Sequence, residues 1–232
     1  MICKYTGELF SDLRRDESVY DAFGAGHSST SISAAIGYEI ASKLKNEKKK
    51  IVAIIGDGGL TAGMAFEALG HAGGIKSDIL VVLNDNEMSI SPNVGAVHKY
   101  LTRILTGKAF SSLKESGKKV LGKVKAIEEI AKKVENQAKG LITPGLLFEE
   151  LGFKYYGPVD GHDTNGLIDI LANLKDKSGP RILHIITKKG KGYKLAEQNP
   201  ISYHGVTPFD IKTGQALKSK IKNKLTYTQI FS

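Results

Sequence analysis

The 232-residue sequence contains one cysteine, Cys3, which excludes an internal disulfide and a cysteine-rich metal site. No run approaches the roughly 18 apolar residues of a membrane-crossing helix. The opening Met1-Ile2-Cys3-Lys4-Tyr5 has no apolar stretch of the secretory kind. These absences point to a soluble, cytoplasmic chain. Acidic residues are also scarce, 24 against 33 Lys and Arg, for a net charge of +9. The surplus lies mainly between His98 and Gly140, where eleven basic residues meet four Glu. That stretch has little aromatic interleaving, and Ile127, Ile130, Ala131 and Val134 fall on one side of an expected helix over 126–139. A solvated basic helical excursion is the plain reading of this pattern; attraction of anionic substrates is the functional alternative, ahead of a nucleic-acid surface.

What the chain does have is a regular alternation of helix and strand patterns. Ser28 to Ser31 offers N-cap candidates for a helix to about Asn46, with Ile32, Ala35, Ile36, Ile40 and Leu44 at helical spacing. A buried-strand run, Ile51 to Ile55, follows, then a helix over about 62–73, then a second apolar run, Ile79 to Leu83. After the long excursion, Thr143-Pro144 starts a helix ending near Gly152. A short strand over 153–156, a helix capped by Asp163-Thr164 and a buried strand over 182–187 come next, and loop is expected beyond Lys188. The pattern predicts an α/β fold with a mainly parallel sheet flanked by helices and a long helical or mobile insertion. Residues 1–211 form the expected domain, and 212–232 read as a linker.

Two motifs carry the chemistry. Gly56-Asp57-Gly58 follows the first apolar strand, and Asn84-Asp85-Asn86 follows the second, so both arrive at the carboxyl edge of a parallel sheet, where open α/β sheets bind ligands. A hard divalent cation takes oxygen ligands, and Asp57 and Asn86 offer a carboxylate and a carboxamide oxygen. Gly56, Gly58 and Gly59 keep bulky side chains out of the turn, so main-chain N–H groups have access to a diphosphate.

The pair resembles the thiamine diphosphate fingerprint, a Gly-Asp-Gly closed by an Asn; here Asp57 and Asn86 are 29 positions apart. The flanking stretches Gly26 to Ser33 (GHSSTSIS), Gly63 to Ala68 (GMAFEA) and Asn84 to Ser91 (NDNEMSIS) are similar to the 1-deoxy-D-xylulose-5-phosphate synthase family, relatives of transketolase. PGLLFEELG over 144–152, GPVDGHD over 157–163, TKKGKGY over 187–193 and Ile201 to His204 extend the resemblance over nearly the whole chain. It implies thiamine diphosphate and Mg²⁺ as cofactors, with Asp57, the Asn86 side chain and the Met88 carbonyl on the metal. Gly58 and Gly59 would line the diphosphate, Gly26, His27 and Ser28 would lie along the cofactor, and Tyr193 matches a further cofactor contact. His204 matches a histidine facing the reacting centre, and His27 is the second catalytic candidate.

The implied reaction decarboxylates pyruvate and condenses it with glyceraldehyde 3-phosphate, giving 1-deoxy-D-xylulose 5-phosphate for isoprenoid-precursor, thiamine and pyridoxal biosynthesis. The family is homodimeric. By the same resemblance the chain lacks an opening segment and the downstream domain whose Glu contacts the aminopyrimidine, so the polypeptide alone is expected to be inactive. A transketolase, a dehydrogenase E1 subunit and a non-catalytic split-chain module are the alternatives. From the residues alone, His27 fits a site role or a structural hydrogen bond, and His204 a site role or a surface position. His71 reads as a packing residue, His162 as part of a turn before a helix cap, and His98 and His184 carry no signal.

Overall fold

A computed structural model describes residues 15–16, 21–88, 95–96, 100, 145–206 and 208–217. These fall into two compact units, one within Asp12–Lys189 and one within Gly190–Ser232. In the first, the element order is α1 (Ser31–Leu44), β1 (Ile51–Gly56), α2 (Asp57–Leu60), α3 (Gly63–Gly74), β2 (Ile79–Asp85), α4 (Leu146–Glu150), β3 (Lys154–Asp160), α5 (Thr164–Leu174) and β4 (Arg181–Ile186). The four strands pair in the order β1-β2-β4-β3, and every pair is parallel.

Alternation along the strands divides the core into two layers. Ile79, Val81 and Leu83 of β2 pack with Ile32 and Ile36 of α1, Leu69 of α3 and Phe148 of α4. Leu80 and Val82 point the other way and join Leu183 and Leu174, the last residue of α5. The expected buried run of β1 is buried on one side only: Ala53 and Ile55 enter the first layer, whereas Val52 and Ile54 remain 51% and 67% exposed. The reason is position, since β1 ends the strand order of the described sheet.

The strand and helix expectations agree with the elements to within a few residues, and Asp163 caps α5 by accepting from the Gly166 N–H at 3.1 Å. His71 does not pack as expected; it is exposed, and the buried neighbour is Ala72. The basic stretch, its 126–139 helix and Thr143-Pro144 lie outside the described residues.

The second unit contains α6 (Lys194–Gln198), where only loop was expected. Tyr193, Tyr203 and Phe209 cluster with ring centroids 5.5–6.0 Å apart. The Tyr193 hydroxyl donates to the Ile211 carbonyl at 2.9 Å, and Asp210 holds a turn by accepting from the N–H groups of Lys212 and Thr213.

Candidate functional site

β1 and β2 run in register to their ends, with Gly56 opposite Asn84, so each strand delivers its following residues to one edge of the sheet. Asp57 enters α2 there and is 1% exposed. Its carboxylate accepts from the N–H groups of Asn86 and Gly58 and faces Asp85. Burial, and then the charge of Asp85, push the Asp57 carboxyl up to about 6. Asp85 is displaced in the opposite direction. Burial works against its charge, but the hydrogen bond and charge of His184, with the Glu87 N–H and the Asp57 carboxyl, hold it below the ordinary range. Of two adjacent buried carboxyls, Asp57 is thus the one that takes up a proton and Asp85 the one that keeps its charge.

The turn after β2 is shaped by these same side chains. Asp85 Oδ1 accepts from the Glu87 N–H at 3.0 Å, and Asn86 Oδ1 accepts from the Met88 N–H at 3.1 Å. Between them Glu87 has φ +60, a left-handed conformation rare outside glycine, Asn and Asp. The Asn86 oxygen keeps a second lone pair for a cation. Asn84 is engaged elsewhere, because its Oδ1 accepts from the Thr187 hydroxyl at 2.7 Å and ties β2 to the end of β4.

Gly59 brings the loop before α1 to the same place. A Cβ on Gly59 would lie 3.3 Å from Ile55 Cγ1 and 3.7 Å from both the N and the Oγ of Ser29. Gly26, His27 and Ser28, all exposed, precede that contact, and the Thr30 hydroxyl donates back to the His27 carbonyl at 3.3 Å. Ser31 Oγ, in the first turn of α1, is buried with no hydrogen-bond partner among the described residues. Lys189 also reaches this edge. Burial lowers its ammonium while the negative charge of Asp57 supports it. In the sequence it is one Lys of a basic run that follows the last apolar strand run.

Of the candidate residues, then, Asp57, Gly58, Gly59, Asn86 and Met88 come together, and Gly26 to Ser28 adjoin them through Ser29. Tyr193 and His204 belong to the second unit; Tyr193 has the structural contacts given above, and His204 lies in an exposed turn. His162 is a turn residue as expected: its N–H donates to Asp160 Oδ1 at 2.8 Å and its Nε2 accepts from the Lys188 N–H at 2.8 Å. Among the described residues no three His, Cys, Asp or Glu side chains are grouped to hold a metal. The side chains that meet at the sheet edge are the carboxyls of Asp57 and Asp85 and the carboxamide of Asn86. His184 was missed, although a histidine inside the apolar run Ile182 to Ile186 must find buried partners.

The architecture is transketolase-like. A transketolase from Campylobacter jejuni superimposes with a TM-score of 0.50 over 75% of this chain and 22% of its own, at 20% identity. The chain belongs to the 1-deoxy-D-xylulose-5-phosphate synthase family, whose profile matches residues 4–187. It is 60% identical over 231 residues to the synthase of Nitrosococcus oceani and 55% identical over 226 residues to that of Methylococcus capsulatus. The chain spans 36% and 35% of those relatives' lengths.

Proposed function

We propose that the whole protein is a transketolase-type carboligase that decarboxylates pyruvate and joins it to glyceraldehyde 3-phosphate, forming 1-deoxy-D-xylulose 5-phosphate, and that this chain holds the metal-diphosphate end of thiamine diphosphate. The observation that carries this reading is the meeting of Asp57 with the Asn86 turn at the ends of two adjacent parallel strands. The donors fit a hard cation such as Mg²⁺. A buried carboxylate whose ionisation is opposed by burial and by Asp85 gains most from a positive charge beside it. Asp57, the Asn86 oxygen and the Met88 carbonyl would hold the metal, and Gly58, Gly59 and the Gly26-His27-Ser28 loop would flank the diphosphate. Thiamine diphosphate, when bound, supplies the electron sink for decarboxylation of a 2-keto acid.

The residues around it bind and orient. Below about pH 6 Asp57 must give up a proton before it accepts a cation. Lys189 adds positive charge beside Asp57, and α1, with Ser31 in its first turn, presents the positive end of a 14-residue helix. His27 and His204 as proton-transfer groups, and Tyr193 as a cofactor contact, rest on the family resemblance. So do residues 1–211 as one functional domain with 212–232 as linker, a cytoplasmic homodimer, and biosynthesis of isoprenoid precursors, thiamine and pyridoxal. Because the chain spans about a third of its relatives, it alone is expected to bind the metal diphosphate weakly and to form no product. Titration calorimetry with Mg²⁺ and thiamine diphosphate tests the site: Asp57→Ala abolishes the heat of binding, and equal affinity in the two proteins removes Asp57 from it.

A further inference from the structure

Beneath the candidate site, side chains from three strands form one chain of hydrogen bonds. The Tyr155 hydroxyl of β3 lies 2.7 Å from His184 Nδ1 of β4. His184 Nε2 lies 3.0 Å from Asp85 Oδ2 at the end of β2. A carboxylate has only lone pairs to offer, so Nε2 carries the hydrogen of that bond, and Nδ1 and the tyrosine hydroxyl share the other. The rings are fixed by packing: Tyr155 stacks on Phe148 with centroids 5.8 Å apart and meets His184 edge-on.

A polar relay in a hydrophobic layer needs a reason, because burying imidazole costs more than burying an apolar side chain of the same size. His184 is 0% exposed and Asp85 1%, so the relay does not serve solvent. What it reaches is the turn after β2. With Oδ2 held by His184, Asp85 turns Oδ1 toward the Glu87 N–H at 3.0 Å, which supports the unfavourable φ of +60 at Glu87. On either side of Glu87 are Asn86 and Met88.

We propose that Tyr155 and His184 are positioning residues for the metal-diphosphate site: by fixing the Asp85 carboxylate they set the turn that presents the Asn86 side chain and the Met88 carbonyl. The inference rests on the reading of that site given above. It assigns a role to two residues that touch neither metal nor cofactor in that reading.

The test measures binding of Mn²⁺, in the presence of thiamine diphosphate, to the 232-residue chain by electron paramagnetic resonance of the free ion. Ligand-free unfolding midpoints are recorded alongside. Tyr155→Phe and His184→Leu weaken binding about 10- to 100-fold, the usual effect of losing an outer hydrogen bond at a metal site. His184→Gln, whose amide N–H donates toward Asp85, stays near the unsubstituted protein. A role confined to folding lowers the ligand-free midpoint and leaves the dissociation constant of the folded protein unchanged; that outcome overturns the proposal. Should His184→Leu fail to fold, Tyr155→Phe, which loses only a hydroxyl, decides the matter. Asp57→Ala separates the two levels. If it binds Mn²⁺ like the parent, the reading of the site fails; if it alone weakens binding, only the positioning role fails.

Discussion

Asp57 is a carboxyl placed where its charge is opposed, by burial and by Asp85, and this has a measurable consequence for folding. Its folded value is raised from 3.8 to about 6. The protonated form is therefore favoured in the folded state, and Asp57's contribution to stability is fully present below about pH 4 and lost as pH rises through 6. Metal-free Asp57→Asn should flatten that part of the profile and gain roughly 2–4 kcal/mol over the parent at pH 7. Urea unfolding at pH 4, 5, 6 and 7 in a chelator checks this, and parallel profiles for the two proteins would refute it. Gly-Asp-Gly alone is a turn that ends many strands; the sequence made this residue legible as a candidate because Asn84-Asp85-Asn86 follows the next strand and reaches the same sheet edge. It did not make the environment legible. The Asp85 charge that raises Asp57, and the His184 bond that keeps Asp85 ionised, join positions 57, 85 and 184, and no local pattern links them.

At the scale of elements, the parallel pairing of β3 with β4 depends on a close approach at one glycine. Gly157, at φ +121, sits where the β3–β4 register shifts, between Tyr156 and Val159. A Cβ there would stand 2.5 Å from the His184 carbonyl oxygen. Gly157→Ala is expected to destabilise by about 1–3 kcal/mol from the backbone conformation alone, with the contact adding to it. Gly37 supplies the opposite case. It lies mid-way along α1, where an added methyl group would meet nothing within 4 Å, and Gly37→Ala should stabilise by about 0.5–1 kcal/mol. Chemical denaturation of both variants gives opposite signs if local geometry governs, and equal signs would contradict the account. The main elements could be read from period and caps: the apolar runs at 51–55 and 79–83 and the Asp163 cap all lie where the pattern put them. α2 and α6 could not. Each is too short, at four and five residues, to show a helical period, and α2 consists of Asp-Gly-Gly-Leu, whose propensity opposes helix.

At the scale of the whole molecule, the chain is marginal in the way any folded protein is, and a ligand that binds only the folded state shifts the balance by mass action. The candidate residues of the first unit come from the loop before α1, the α2 turn and the turn after β2, so binding ties together segments that are separated in sequence. At a concentration about one hundred times its dissociation constant, Mg²⁺ with thiamine diphosphate should stabilise the chain by about 2.7 kcal/mol. For a chain of this length that corresponds to a rise in Tm of about 5–10 °C. The increment should vanish in Asp57→Ala, and it should be larger at pH 7 than at pH 5, because below 6 the metal must displace a proton from Asp57. Differential scanning calorimetry at the two pH values, with and without ligand, makes the comparison. A rise that is equal at both pH values, or that survives in Asp57→Ala, would mean that the ligand stabilises the fold from another place and that the ends of β1 and β2 are not where the diphosphate is held.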